Sequence, residues 1–152
     1  MFTKEQKKQL REQFWNQFKA YSNKRKLKKG KPGKWIMNDT SISQLKLKFH
    51  FDEREAFAGF EIETRNLDKR IELFDKLEKL KSIIESAVKH ELIWDLETEV
   101  SGGKTVSRVI SRLTGVNVYN NEDWKKVNLF LYEVMEPIEN VFLEYKDYLK
   151  YD

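Results

Sequence analysis

Between Leu45 and Arg65 apolar and polar residues alternate with a period of two, interrupted once by Asp52-Glu53-Arg54-Glu55. Leu47, Phe49 and Phe51 alternate with Lys46, Lys48 and His50; Ala58, Phe60 and Ile62 alternate with Gly59, Glu61 and Glu63. A period of two sends successive side chains to opposite faces of a sheet, so the stretch reads as a β-hairpin with one apolar and one charged face. With Asp52 opposite Phe57, Phe51 meets Ala58, Phe49 meets Phe60 and Leu47 meets Ile62. Lys48 then faces Glu61, and Lys46 faces Glu63. One register satisfies both faces.

The rest of the chain supplies helices to cover that apolar face. Thr3-Lys4-Glu5-Gln6 has the form of a capping box, and Leu10, Phe14, Phe18 and Tyr21 follow at helical spacing, so a first helix runs to about Tyr21 or a little beyond. Gly30, Pro32 and Gly33 place the next residues in a loop. Trp35-Ile36-Met37 has the form of a short strand. Asn66 caps a second helix with an apolar stripe from Ile71 to Val88, ending near His90. A second hairpin follows, turning on two residues at Gly102-Gly103, with Leu96 opposite Val109 and Glu97 opposite Arg108. Asn120 caps a last helix, Trp124 to Tyr148, in which Pro137 predicts a kink or break. The expected fold class is α+β. An antiparallel sheet of two hairpins, with a possible fifth short strand, is covered by three helices in the order α-(β)-β-β-α-β-β-α. At 152 residues the chain is expected to form a single domain over residues 1–152. The restriction-endonuclease-like core order, α-β-β-β-α-β, is an alternative if Trp35 to Met37 is the first strand.

Composition removes several chemistries. With no cysteine there is no disulfide, no thiolate nucleophile and no cysteine-ligated zinc. The absence of a spanning apolar run or a signal-like start predicts a cytoplasmic protein that does not engage a membrane. The net charge is +4, and its location is the telling part. Lys24, Arg25, Lys26, Lys28, Lys29, Lys31 and Lys34 fall within eleven residues that contain no acid; without them 22 basic residues face 25 acidic ones. All the surplus positive charge is therefore local.

Phe14-Trp15 with Phe18 and Tyr21, Trp35, Phe60-Glu61-Ile62-Glu63, Ser107-Arg108-Val109 and Gly115-Val116-Asn117-Val118-Tyr119-Asn120 with Trp124 resemble the bacterial family known as domain of unknown function 4268. The resemblance spans nearly the whole chain and is close to the standalone form found in Bacteroidetes. In longer relatives the module lies C-terminal to restriction-endonuclease-like domains, which implies a nucleic-acid or genome-defence context. No catalytic residues are established for the family, so the resemblance carries none over to this chain.

Asp52, Glu61 and Glu63 are the candidate catalytic acids of a divergent Mg²⁺-dependent nuclease. Such sites place a lysine two residues after the second acid, and here that position is Glu63. The opposed Lys46 and Lys48 favour a salt-bridged solvent face instead. Asp95, Glu97 and Glu99 share one strand face and read as solvated. Gly103-Lys104-Thr105 lacks the earlier glycine and the following helix of a phosphate-binding loop. His50 reads as part of the charged hairpin face and His90 as a helix C-terminal residue. No cofactor or metal is expected.

The basic segment 24–34 is the strongest functional signal. Its seven cations suit displacement of phosphate counterions, and Trp35 at its edge suits stacking on an unpaired base. The same cations also suit a solvated loop or a dock for an acidic protein. The leading expectation is a non-enzymatic accessory module contacting nucleic acid. The alternatives are the nuclease and a protein-interaction or homodimer module built on the last helix.

Overall fold

A computed structural model describes residues 1–151 of the chain. Helix α1 (Lys4–Lys28) starts on the expected capping box: the Thr3 hydroxyl accepts from the Gln6 amide at 3.1 Å, and the Gln6 side chain accepts from the Thr3 amide at 2.8 Å. It runs two turns past Tyr21, because Asn23 to Lys28 contain mainly good helix formers and the cations complement the negative end of the helix dipole. The stop is at Gly30, whose φ of 73° lets Gly30 and Lys31 donate back to the Leu27 and Lys26 carbonyls. Trp35 to Met37 form no strand. That segment is a turn-rich strap leading into β1.

Strands β1 (Leu45–Phe51) and β2 (Glu55–Ile62) form the first hairpin. The faces are as expected, but the register is displaced by two: Leu47 pairs with Phe60, Phe49 with Ala58 and Lys46 with Glu61. Asp52 causes the displacement. Its carboxylate accepts from the Arg54 and Glu55 amides at 2.8 and 2.9 Å, which tightens the loop without changing which side chains face inward.

Helix two divides at Leu80 into α2 (Leu67–Lys79) and α3 (Lys81–Ala87). Strands β3 (Ile93–Val100) and β4 (Lys104–Thr114) follow, joined by a three-residue 3₁₀ turn, Ser101–Gly103, where a two-residue turn was expected. Trp94, not Leu96, faces Val109, and Asp95, not Glu97, faces Arg108. The three-residue turn moves the register by one residue, and a bulge between Asp95 and Thr98 moves it by one more. The Asp95 side chain takes up the Glu97 amide at 3.0 Å and the Thr98 hydroxyl at 2.6 Å, withdrawing Glu97 from the ladder. Helix α4 (Trp124–Lys150) continues through Pro137, leaving the Glu133 carbonyl without its intrahelical donor; the backbone departs from helical angles at Tyr145 instead.

The two hairpins join through β2 and β4, giving a four-stranded antiparallel sheet in the order β1-β2-β4-β3 with helices packed on one face. The fold is α+β with four strands and four helices. Leu45, Leu47, Phe60, Ile62 and Val109 meet Leu77, Ile84, Leu131 and Ile138 in the core, and Phe14 and Phe18 close the β1 end against Phe51 and Phe49. Gly59 marks where β2 and β4 approach most closely. A Cβ there would lie 2.1 Å from the Val109 carbonyl oxygen and 2.8 Å from the Ile110 Cα. No helix among the described residues is long and apolar enough to cross a membrane.

Candidate functional site

The basic segment divides into cations that brace the fold and cations that remain outside it. Phe14, Phe18, Ser22 and Lys26 fall four residues apart on the buried face of α1, so helical geometry carries Lys26 inward. Its ammonium is 1% exposed, 2.6 Å from Glu139 Oε1 and 3.1 Å from the Lys34 carbonyl oxygen, and lies 3.9 Å from the centre of the Trp35 ring. The other Glu139 oxygen accepts from the Ile36 amide at 2.9 Å. Trp35 is also buried, and its indole N–H donates to Ser22 Oγ at 3.0 Å. Both side chains are thus committed to holding the strap against α1 and α4.

Lys29 and Lys31 reach Glu136 at 2.7 and 3.6 Å. Burial alone would push the Glu136 carboxyl up, but hydrogen bonds from Lys29 and Tyr132 and the nearby Lys31 charge outweigh it and hold the carboxyl below its ordinary value. Burial and Glu136 in turn push the Tyr132 hydroxyl well up. Arg25 lies 4.5 Å from the centre of the Tyr21 ring with no carboxylate within ion-pair distance. Lys24, Lys28 and Lys34 are exposed and make no ion pair among the described residues. Of the seven cations, Lys24, Arg25, Lys28 and Lys34 are therefore free to meet an external anion, and they lie on the last turns of α1 and the strap rather than on one open loop.

The three candidate acids are placed apart. Asp52 lies in the β1–β2 loop beside Glu55, six residues and roughly 20 Å along β2 from Glu61 at about 3.3 Å per residue. Glu61 is 2% exposed, because β2 is flanked by neighbours on both sides rather than presenting a solvent face. Its carboxylate meets Arg108 at 2.9 Å, Lys46 at 3.1 Å and Lys48 at 3.7 Å. Burial pushes the Glu61 carboxyl up, but Arg108, Lys48 and Lys46 together hold it below the usual range. Glu63 lies past the strand end, between Lys46 and Lys104 at 3.4 and 3.3 Å.

His50, Asp52 and Glu55 bring possible metal-ligand atoms within 4.8 Å of one another. Those atoms are already engaged: His50 Nε2 with Asp52 at 2.8 Å, Glu55 with Arg112 at 2.7 Å. The His50 ring stacks on Phe57 at 4.6 Å, and Arg108 covers the same ring at 4.8 Å. The helix-free face of the sheet is thus an ion-paired layer lying over Phe57 and Ile110, both buried.

A second cluster escaped the sequence reading. A cleft of about 700 Å³ opens between the end of β2, the start of α2 and the β3–β4 turn, and includes Arg65, Arg70 and Lys104. The available signal was spacing: Arg70, Leu73, Phe74 and Leu77 occupy one buried helical stripe, and a cation on such a stripe is unusual. The sequence reading of this helix did not single out Arg70.

No curated protein and no solved structure matches the chain. A family model does: the one described as Domain of unknown function (DUF4268) matches residues 10–146, nearly the whole length. Aromatic residues within that span pack α1 and α4 on to the sheet, and the chain belongs to the DUF4268 family.

Proposed function

We propose that the protein is a non-enzymatic accessory module that contacts nucleic acid through Lys24, Arg25, Lys28 and Lys34. The observation that supports this reading is charge imbalance at one place. These four stand within eleven residues that contain no acid, and among the described residues none of them has a carboxylate within ion-pair distance. Unneutralised cations gain most from displacing the counterions of a phosphate backbone. Lys26 and Trp35 serve the interface indirectly, by anchoring the segment that presents it.

Four phosphate contacts give a slope of log affinity against log salt of roughly −3 to −4. Binding of a labelled oligonucleotide, measured by fluorescence anisotropy across a salt series, is expected to show that slope. Lys24→Gln, Lys28→Gln and Lys34→Gln combined are expected to weaken binding more than tenfold and to flatten the slope by about 2–3. Indifference to the triple substitution removes the reading. Incubation of the oligonucleotide with the protein and Mg²⁺ is expected to leave it intact; cleavage lost in Glu61→Gln would restore the nuclease alternative.

A further inference from the structure

The cleft between β2, α2 and the β3–β4 turn contains a buried cation that pairs with no carboxylate among the described residues. Arg70 is 5% exposed, yet its guanidinium makes no ion pair among the described residues. Only Nη1 is engaged with the protein, donating to the Leu96 carbonyl oxygen and, at 3.1 Å, to Ser107 Oγ. Nε and Nη2 have no protein acceptor. Among the described residues no fully buried side-chain nitrogen or oxygen lacks a partner, so these two nitrogens keep some contact with solvent, and Arg70 lines the cleft. A guanidinium withdrawn from bulk water without a counter-charge is costly, and its open donors seek an anion.

The surroundings point the same way. Arg65 lines the cleft with no carboxylate partner among the described residues, and Lys104 lines it from the start of β4. The one acid in the lining is Glu63, which Lys46 and Lys104 already share. Beside them the Gly102–Gly103 turn leaves open space where side chains would stand. Two of the three cations lining the cleft are guanidinia, whose planar forks match the oxygens of a phosphate in pairs.

We infer that this cleft binds a phosphate group, held by the free edge of Arg70 and by Arg65. The volume is of the size that takes a mononucleotide-scale ligand. The site is separate from Lys24, Arg25, Lys28 and Lys34, and does not depend on their role. The phosphate has two possible sources, a free small molecule or the end of a nucleic-acid strand.

The test titrates the full chain with inorganic phosphate and follows the amide resonances of Gly102, Gly103 and Thr105 by NMR. Saturable shifts are expected at millimolar phosphate or below. Arg65→Gln is expected to weaken binding roughly tenfold or more, the scale of one lost charge-assisted hydrogen bond pair. Glu63→Gln, which removes the only lining acid and releases Lys104, is expected to tighten binding severalfold, a sign that a merely structural role would not produce. Arg70→Lys is expected to lower affinity while retaining the Leu96 contact; should it fail to fold, the exposed Arg65 and Glu63 positions still decide. Absence of saturable shifts, or an affinity unmoved by Arg65→Gln or by Glu63→Gln, overturns the assignment. Oligonucleotides with and without a 5′-phosphate, titrated into the Lys24, Lys28 and Lys34 triple variant, separate the sources. A preference for the phosphorylated end identifies a strand terminus, and equal weakness of both beside tight mononucleotide binding identifies a small molecule.

Discussion

Replacing Lys26 with Met tests whether the basic segment is one functional unit or two. The ammonium is buried against Glu139 at 2.6 Å, and the same carboxylate holds the Ile36 amide. Removing one partner of a buried pair leaves the other charge uncompensated, at a cost of about 3–5 kcal/mol. The Met side chain recovers some of the packing on Trp35, which places the expectation near 3 kcal/mol. At about 2–4 °C per kcal/mol for a chain of this size, the melting temperature falls by roughly 6–12 °C. Urea unfolding followed by tryptophan fluorescence reports the change, since Trp35 lies on the pair. Glu139→Gln alone is expected to cost a similar amount. The double variant is expected to cost much less than the sum, with a coupling energy above about 1 kcal/mol. The Lys24, Lys28 and Lys34 triple variant is expected to change stability by less than about 0.5 kcal/mol, because those side chains are exposed and unpaired. A Lys26→Met protein as stable as the parent, or additive single costs, would refute the division into bracing and free cations.

Gly59→Ala is expected to be among the most damaging single changes, costing roughly 3 kcal/mol or more by forcing β2 away from the Val109 carbonyl; far-UV circular dichroism against temperature reads it directly. Thr40→Val should cost about 1–3 kcal/mol, because the buried Thr40 hydroxyl, 2.9 Å from the Ile42 carbonyl oxygen and 2.7 Å from that of Leu45, also accepts from the Ile42 amide at 3.1 Å. Glu61, Glu63 and Glu136 all have carboxyls held below the ordinary value of 4.5, so their stabilisation is complete above that value and is lost as pH falls through the lower folded values. The urea midpoint is therefore expected to be level near neutrality and to drop below pH 4.5, and Glu61→Gln is expected to shallow that drop.

The hairpin faces were legible in the sequence because parity along a strand is local. Every odd residue from Leu45 to Phe51 turns inward whatever its partner. Two caps were legible for the same reason, since Thr3 and Asn66 bond to amides within three residues, whereas Asn120 caps the short 3₁₀ turn Asn121–Asp123 and leaves α4 itself without a side-chain cap. Register was not legible, because it hung on how two side chains chose to bond. Asp52 tightened one loop and Asp95 opened a bulge in the other hairpin, and neither acid differs in type from those that did nothing. The candidate site divided along the same line. The local charge surplus at residues 24–34 could be counted, but which cations were consumed depended on α4, more than a hundred residues away, lying alongside α1.

The amino-acid order by itself determined the family, the alternation of helices and strands, and the place where positive charge accumulates, since each rests on composition or on spacing within a few residues. Tertiary structure alone decided that β2 lies between β1 and β4, and hence that Glu61 is enclosed rather than wetted. It also decided that Lys26 is spent on Glu139 and that Arg70 is left without a counter-charge. The physical reason is that a charge's partner is found through space, and nothing in neighbouring residues announces how far away along the chain that partner will be.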